Sequence, residues 1–166
     1  MSRTSVRTAV VNWLGQGNVA NLNNVYASRL RASSDDEMTG GQLSTETTSG
    51  AIAFVRIGDQ RETRVALGGL TSGKKRVDYI IDLVVEYHTS GIALDTQNVE
   101  IETDALIDAL LTRIRVDRTF ATATILEAGE GPTGIGITEP NFSETSENEF
   151  TASFVCSFVV TEIVTT

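Results

Sequence analysis

The sequence predicts an α+β fold: a single layer of antiparallel or mixed β-sheet, about five strands including a long hairpin, with two helices packed on one face. Three observations lead there. Two stretches carry apolar residues at helical spacing, Val6 to Leu14 and Ile107 to Ile114. Two longer stretches alternate as strands do, Val77 to Tyr87 and Phe150 to Val160. The second helical stretch separates runs of strand-like sequence, the order expected of a layered α+β domain.

The elements follow in chain order. Val6, Val10, Trp13 and Leu14 recur at helical spacing behind Ser2 and Ser5, and Gly15 and Gly17 end the pattern, so a short amphipathic helix opens the chain. From 15 to 50 the sequence turns polar, with Asn21, Asn23, Asn24, an SSDDE run and Gly40-Gly41, yet it keeps Leu22, Val25, Tyr26 and Leu30. That predicts a long excursion anchored by a small apolar patch and mobile over 33–48. AIAFVRIG, a turn at Gly58-Asp59-Gln60, and RETRVALGG predict a hairpin. Next, Val77, Tyr79, Ile81, Leu83, Val85 and Tyr87 alternate with Asp78, Ile80, Asp82, Val84, Glu86 and His88. At about 3.3 Å per residue this run reaches on the order of 50 Å, so it bends or projects beyond the core. Thr103 to Val116 is a helix with Ile107, Leu110, Leu111 and Ile114 on one stripe, acid near its start and Arg near its end, as the helix dipole favours. Two strands close the chain, over 122–128 and where Phe150, Ala152, Phe154, Cys156, Phe158 and Val160 share a face.

With 166 residues, 40% of them hydrophobic, the chain is expected to fold as one domain over 1–166. Its charge of -9, from 22 acidic against 13 basic residues, repels nucleic acid unless the basic groups are segregated. No window approaches about 18 consecutive apolar residues, and the N-terminus has no signal-peptide core, which predicts a soluble chain made in the cytoplasm. One cysteine, Cys156, excludes an intrachain disulfide, and one histidine, His88, removes most histidine-based metal and catalytic arrangements.

Several motifs invite a chemical reading. GGLTSGKK at 68–75 approaches a phosphate-binding loop, but Lys75 stands where Ser or Thr would hold magnesium, and the following residues alternate as a strand. A glycine-rich hairpin tip is the expectation. GEGPTGIG at 129–136 resembles a dinucleotide fingerprint in spacing, but Pro132 interrupts it and no helical stripe follows, so it reads as a loop. Asp78, Asp82 and Glu86 share one strand face, yet residues four apart on a strand are about 13 Å apart, beyond the roughly 5 to 9.5 Å of a catalytic carboxylate pair. With Ile80 and Val84 among them, they mark a partly covered face, a subunit interface or channel lining. Cys156 shares parity with Phe154 and Phe158 and reads as a buried hydrophobe, whereas His88 lies on the acidic parity of its own strand. Lys74, Lys75 and Arg76 form the compact cationic cluster and are a candidate subunit or partner interface. No cofactor, metal site or catalytic residue is expected.

The order of these pieces resembles the tail-terminator, or tail-completion, proteins of long-tailed bacteriophages. The resemblance rests on the N-terminal helix with Val6, Val10 and Trp13, the NLNNVYA segment, the hairpin ending in ALGG, and the GKKRVDYIIDLVVEY strand. It continues through the helix DALIDALLTRIR, the ILEAGEGPTGI region and the closing strand EFTASFVCSFVVTEIV, and so covers nearly the whole chain. It implies a virion protein, assembled in the host cytoplasm, that forms a ring, typically a hexamer. The ring caps the tail tube when it reaches full length and offers a surface to the head connector or neck protein. Genomic DNA passes through the lumen without specific binding, no membrane is involved and no reaction is implied. Asp78, Asp82 and Glu86 are then candidates for the lumen lining, where like charge keeps DNA from adhering. The main alternative is a tail-tube or head-closure subunit of the same virion. A nucleotide-dependent enzyme built on GGLTSGKK and a carbohydrate-binding module are the readings from other classes, the latter weakened by a single Trp.

Overall fold

A computed structural model describes residues 2–15, 17–28, 49–66, 73–90, 96–123, 125–129, 134–146 and 149–165. The described elements are α1 (Arg3–Leu14), β1 (Leu22–Tyr26), β2 (Ser49–Ala66), β3 (Lys74–Ser90), α2 (Thr96–Val116), β4 (Ile125–Gly129), β5 (Gly136–Ile137), β6 (Asn141–Ser146) and β7 (Glu149–Thr165). The strands form one mixed sheet in the order β1-β2-β3-β7-β4, with β5 and β6 also paired to β7. β1 runs parallel to β2, and every other pairing is antiparallel. The fold is α+β, as the sequence predicts.

Two long strands form the spine of the sheet. β3 pairs along its whole length with β7, from Lys74 opposite Thr165 to Ser90 opposite Glu149. The alternation in each strand therefore lands on the same two faces. Val77, Tyr79, Ile81, Leu83, Val85 and Tyr87 of β3 join Ala152, Phe154, Cys156, Phe158 and Val160 of β7 on the buried face. Val6, Val10 and Leu14 of α1, and Leu106, Leu110 and Ile114 of α2, pack into that same cluster. Burying such side chains contributes about 1.5–3 kcal/mol each, so this shared face supplies most of the drive to fold.

The two helices are clamped to each other. Trp13 Nε1 donates to the Arg113 carbonyl at 3.1 Å, and Arg113 Nε donates back to the Trp13 carbonyl at 3.1 Å. The guanidinium lies 3.6 Å from the indole centroid, and Trp13 stacks on Phe120, whose ring meets Phe158 edge-on. Asp117 shapes the turn after α2, accepting from the Thr119 and Ala121 amides at 2.8 and 3.0 Å. The Thr119 hydroxyl, donating at 2.7 Å, and then these amide bonds hold its carboxyl below the ordinary range.

Several local expectations change. The predicted turn at Gly58-Asp59-Gln60 is absent: β2 runs straight through as one strand and takes up an extra residue as a bulge. Ile57 lies opposite Ile81, and Gln60 opposite Tyr79. Arg3 donates to the Ile57 and Gly58 carbonyls at 2.8 and 3.1 Å, satisfying edge acceptors that β1 is too short to reach. Within the polar 15–50 excursion, Leu22–Tyr26 is a strand, because the Asn21 carbonyl and the register of Leu22 with Ala51 dock it on β2. The segment 33–48 expected to be mobile lies outside the described residues. α2 begins at Thr96, earlier than its apolar stripe suggests. Among the described residues the sheet keeps the expected path of five strands, and β7 also collects the short β5 and β6 along the side that carries β4.

Candidate functional site

Alternation sends every second residue of β3 and β7 to the face away from the helices, and the register builds a polar ladder there. Asp82 Oδ2 accepts from Arg56 Nε and an Arg56 terminal nitrogen at 3.1 and 2.8 Å, and its Oδ1 accepts from Ser157 Oγ at 2.7 Å. One step along, Asp78 Oδ1 accepts from Arg76 Nε at 2.8 Å and Thr161 Oγ1 at 2.6 Å. Arg61 lies opposite Asp78 in the β2 register. The acidic row expected from β3 alone is thus interleaved with Arg56, Arg61 and Arg76. Sequence reading isolated Asp78, Asp82 and Glu86 because it lacked the cross-strand register that brings the arginines.

Glu86 lies away from those pairs, beside an apolar hollow. Phe54, Val84 and Val155 line it, with Arg7, Arg56, Ser28 and Glu86 around them; its volume is about 430 Å³. Tyr26 stacks on Phe54 at 5.8 Å, so the short strand β1 contributes to this face. Ile80 is exposed on it, while Ile52 and Phe54 are buried. This face mixes ion pairs, hydroxyls and apolar rings.

The bulge changes what the far end of the sheet presents. Before it, Ala51, Ala53, Val55 and Ile57 of β2 face the core. After it, Gln60, Glu62 and Arg64 take that side, and residues 61–65 are exposed at every position whatever their parity. The distal end of β2 and β3 is therefore an arm of the sheet whose β2 strand lies beyond the core, while β3 stays paired to β7. It carries the predicted interface residues Lys74, Lys75 and Arg76 together with Arg61 and Arg64, which register brings alongside. Lys75 pairs with Glu62 at 3.4 Å and Arg76 with Asp78. The missed signal was RETR at 61–64, masked by the expectation of a separate hairpin strand.

At the base of the arm, Tyr79 Oη donates to Glu162 Oε1 at 2.7 Å, both side chains buried. Burial first, then the bond to Glu162 and the charge behind it, push the phenol far above its ordinary value. Cys156 is fully buried in the core, where desolvation pushes its thiol up to about 12, while His88 sits on the opposite face. In the GGLTSGKK stretch, 67–72 lie outside the described residues; Lys74 opens a strand paired to Ala66 and Thr165, with no helix following to receive a phosphate. Chemically, the described surfaces suit docking: paired charges, an open hollow and an exposed, charged end of β2. No protein-family model matches the chain, and no curated protein matches it either.

Proposed function

We propose that the chain is a structural subunit of a long bacteriophage tail, one that assembles as a ring, caps the tail tube at full length and offers a surface to the head connector or neck protein. The observation that carries this reading is the charged distal end of β2 and β3, exposed at every position over 61–65 of β2, beside a sheet face that mixes ion pairs with an apolar hollow. Such features stabilise little within one subunit and serve contacts between subunits. The order of elements, which resembles the tail-terminator family, supplies the specific role. The sheet face with Asp78, Asp82 and Glu86 is the proposed lumen or interface side. Its interleaved acids and arginines give DNA no cationic strip to grip, which suits passage without specific binding. These side chains on the outer rim of an assembled ring would refute that assignment.

A tail-tube or head-closure subunit is the second reading. It is favoured by the edge of β2 beyond β1, which no other described strand pairs and which would be a template for strand pairing between stacked copies. Copy number per particle separates the two. A terminator is expected at one ring's worth of copies, near the tail's head-proximal end, and a tube protein at many. Absence from purified particles would overturn both.

A further inference from the structure

We propose that the distal β2–β3 arm of one copy docks on the outward face of α2 in the next. The inference rests on the ring reading and names the two surfaces that meet. On the arm, Arg61, Arg64 and Lys74 are exposed and make no ion pair among the described residues. On α2, Glu100, Asp104 and Asp108 are exposed and equally unpaired among the described residues. Spaced four residues apart, the three acids form one stripe rising about 6 Å per step. On the face away from the helices, Arg61, opposite Asp78, and Lys74 are four β3 positions apart, about 13 Å, a span comparable to that stripe, while Arg64, opposite Lys75, lies on the reverse face. Each surface also exposes one large apolar side chain beside its charges, Val65 at 58% and Ile101 at 57%. Two cations on one face, Arg61 and Lys74, with a valine exposed between them in sequence, and three anions around an isoleucine are complementary in sign and apolar content.

The two surfaces cannot meet within one chain. Tyr87 Oη donates to Glu102, fixing the N-terminal part of α2 at the far end of β3 from the arm. Lys74 and Tyr87 are about 43 Å apart along that strand. α2 packs instead against β7, β4 and α1. The complement must come from another molecule, and a second copy supplies it with the right sign. A nucleic-acid partner for the arm is less suited, because Asp59, Glu62 and Asp78 interleave its cations. Because donor and acceptor are different patches, the contact is head-to-tail, the kind that closes into rings.

The test uses two sets of reversals, Arg61→Glu/Lys74→Glu and Glu100→Lys/Asp104→Lys/Asp108→Lys, followed by sedimentation and light scattering. All five positions are exposed, so circular dichroism and Tm should match the parent chain. Each variant alone is expected to lose self-association by about 100-fold or more, since like charges now face each other. Mixing the two should restore it, because the negative arm then meets the positive helix and the reverse. As an independent readout, Val65→Cys mixed with Ile101→Cys should form a disulfide heterodimer that neither forms alone; Cys156 is too buried to interfere. Rings that form equally well from both reversal variants would overturn the arm-to-helix contact while leaving the ring intact. A parent chain that stays monomeric, with no Val65–Ile101 cross-link, would overturn both.

Discussion

Tyr79 and Glu162 show what single residues contribute. A carboxylate at 1% exposure is costly unless hydrogen-bonded, and the Tyr79 phenol supplies a 2.7 Å donor. Tyr79→Phe is expected to lower stability by about 1–3 kcal/mol, read as a lower denaturant midpoint. The pH dependence follows in sign. The folded phenol titrates above its ordinary 10.0, so its contribution is complete below that pH and declines as pH rises through 10 toward the folded value. Alkaline unfolding should therefore be steeper in the parent chain than in Tyr79→Phe; parallel pH profiles would contradict the account. Arg56 makes the opposite case. Its guanidinium is 67% exposed, so Arg56→Ala should cost less than about 1 kcal/mol despite the bidentate contact with Asp82. A strong assembly defect in a variant so mild in stability would mark that row as an interface.

The elements differ in how much of them the sequence reveals. α1, β3, α2 and β7 are legible because each buries a continuous apolar stripe at its own period, and Ser2 caps α1 through a 3.3 Å bond from the Ser5 amide. β2 was misread because Gly58-Asp59-Gln60 has turn composition, and only pairing with β3 and the guanidinium of Arg3 make it a bulge. β6, NFSETS, carries one apolar residue, and its strand state comes from pairing with β7. Of the candidate site, the β3 charges were visible and their β2 partners were not, since register is a tertiary property. Two substitutions test these elements. Arg3→Ala frees two carbonyls at the bulge and should cost about 1–2 kcal/mol. Gly129 ends β4 at φ 102, and an added Cβ would lie 3.1 Å from Ile114 Cγ2. Gly129→Ala is therefore expected to lower stability by about 1–3 kcal/mol in thermal melts.

For the whole molecule, one apolar face builds the core and leaves the remaining surfaces free to dock. Charge is distributed accordingly: the chain carries -9, yet the arm gathers Arg61, Arg64, Lys74, Lys75 and Arg76 at one end. Copies of such an acidic protein repel unless oriented, and in the proposed contact the cationic arm at one end orients them head to tail. Self-association should consequently weaken as salt shortens the screening length from about 10 Å at 0.1 M to about 3 Å at 1 M. The central claim is that this subunit ends tail growth, and electron microscopy of particles assembled without it tests that most directly. The account predicts tails of uncontrolled length, or full-length tails that fail to join heads. Normal particles with joined tails of uniform length would contradict it.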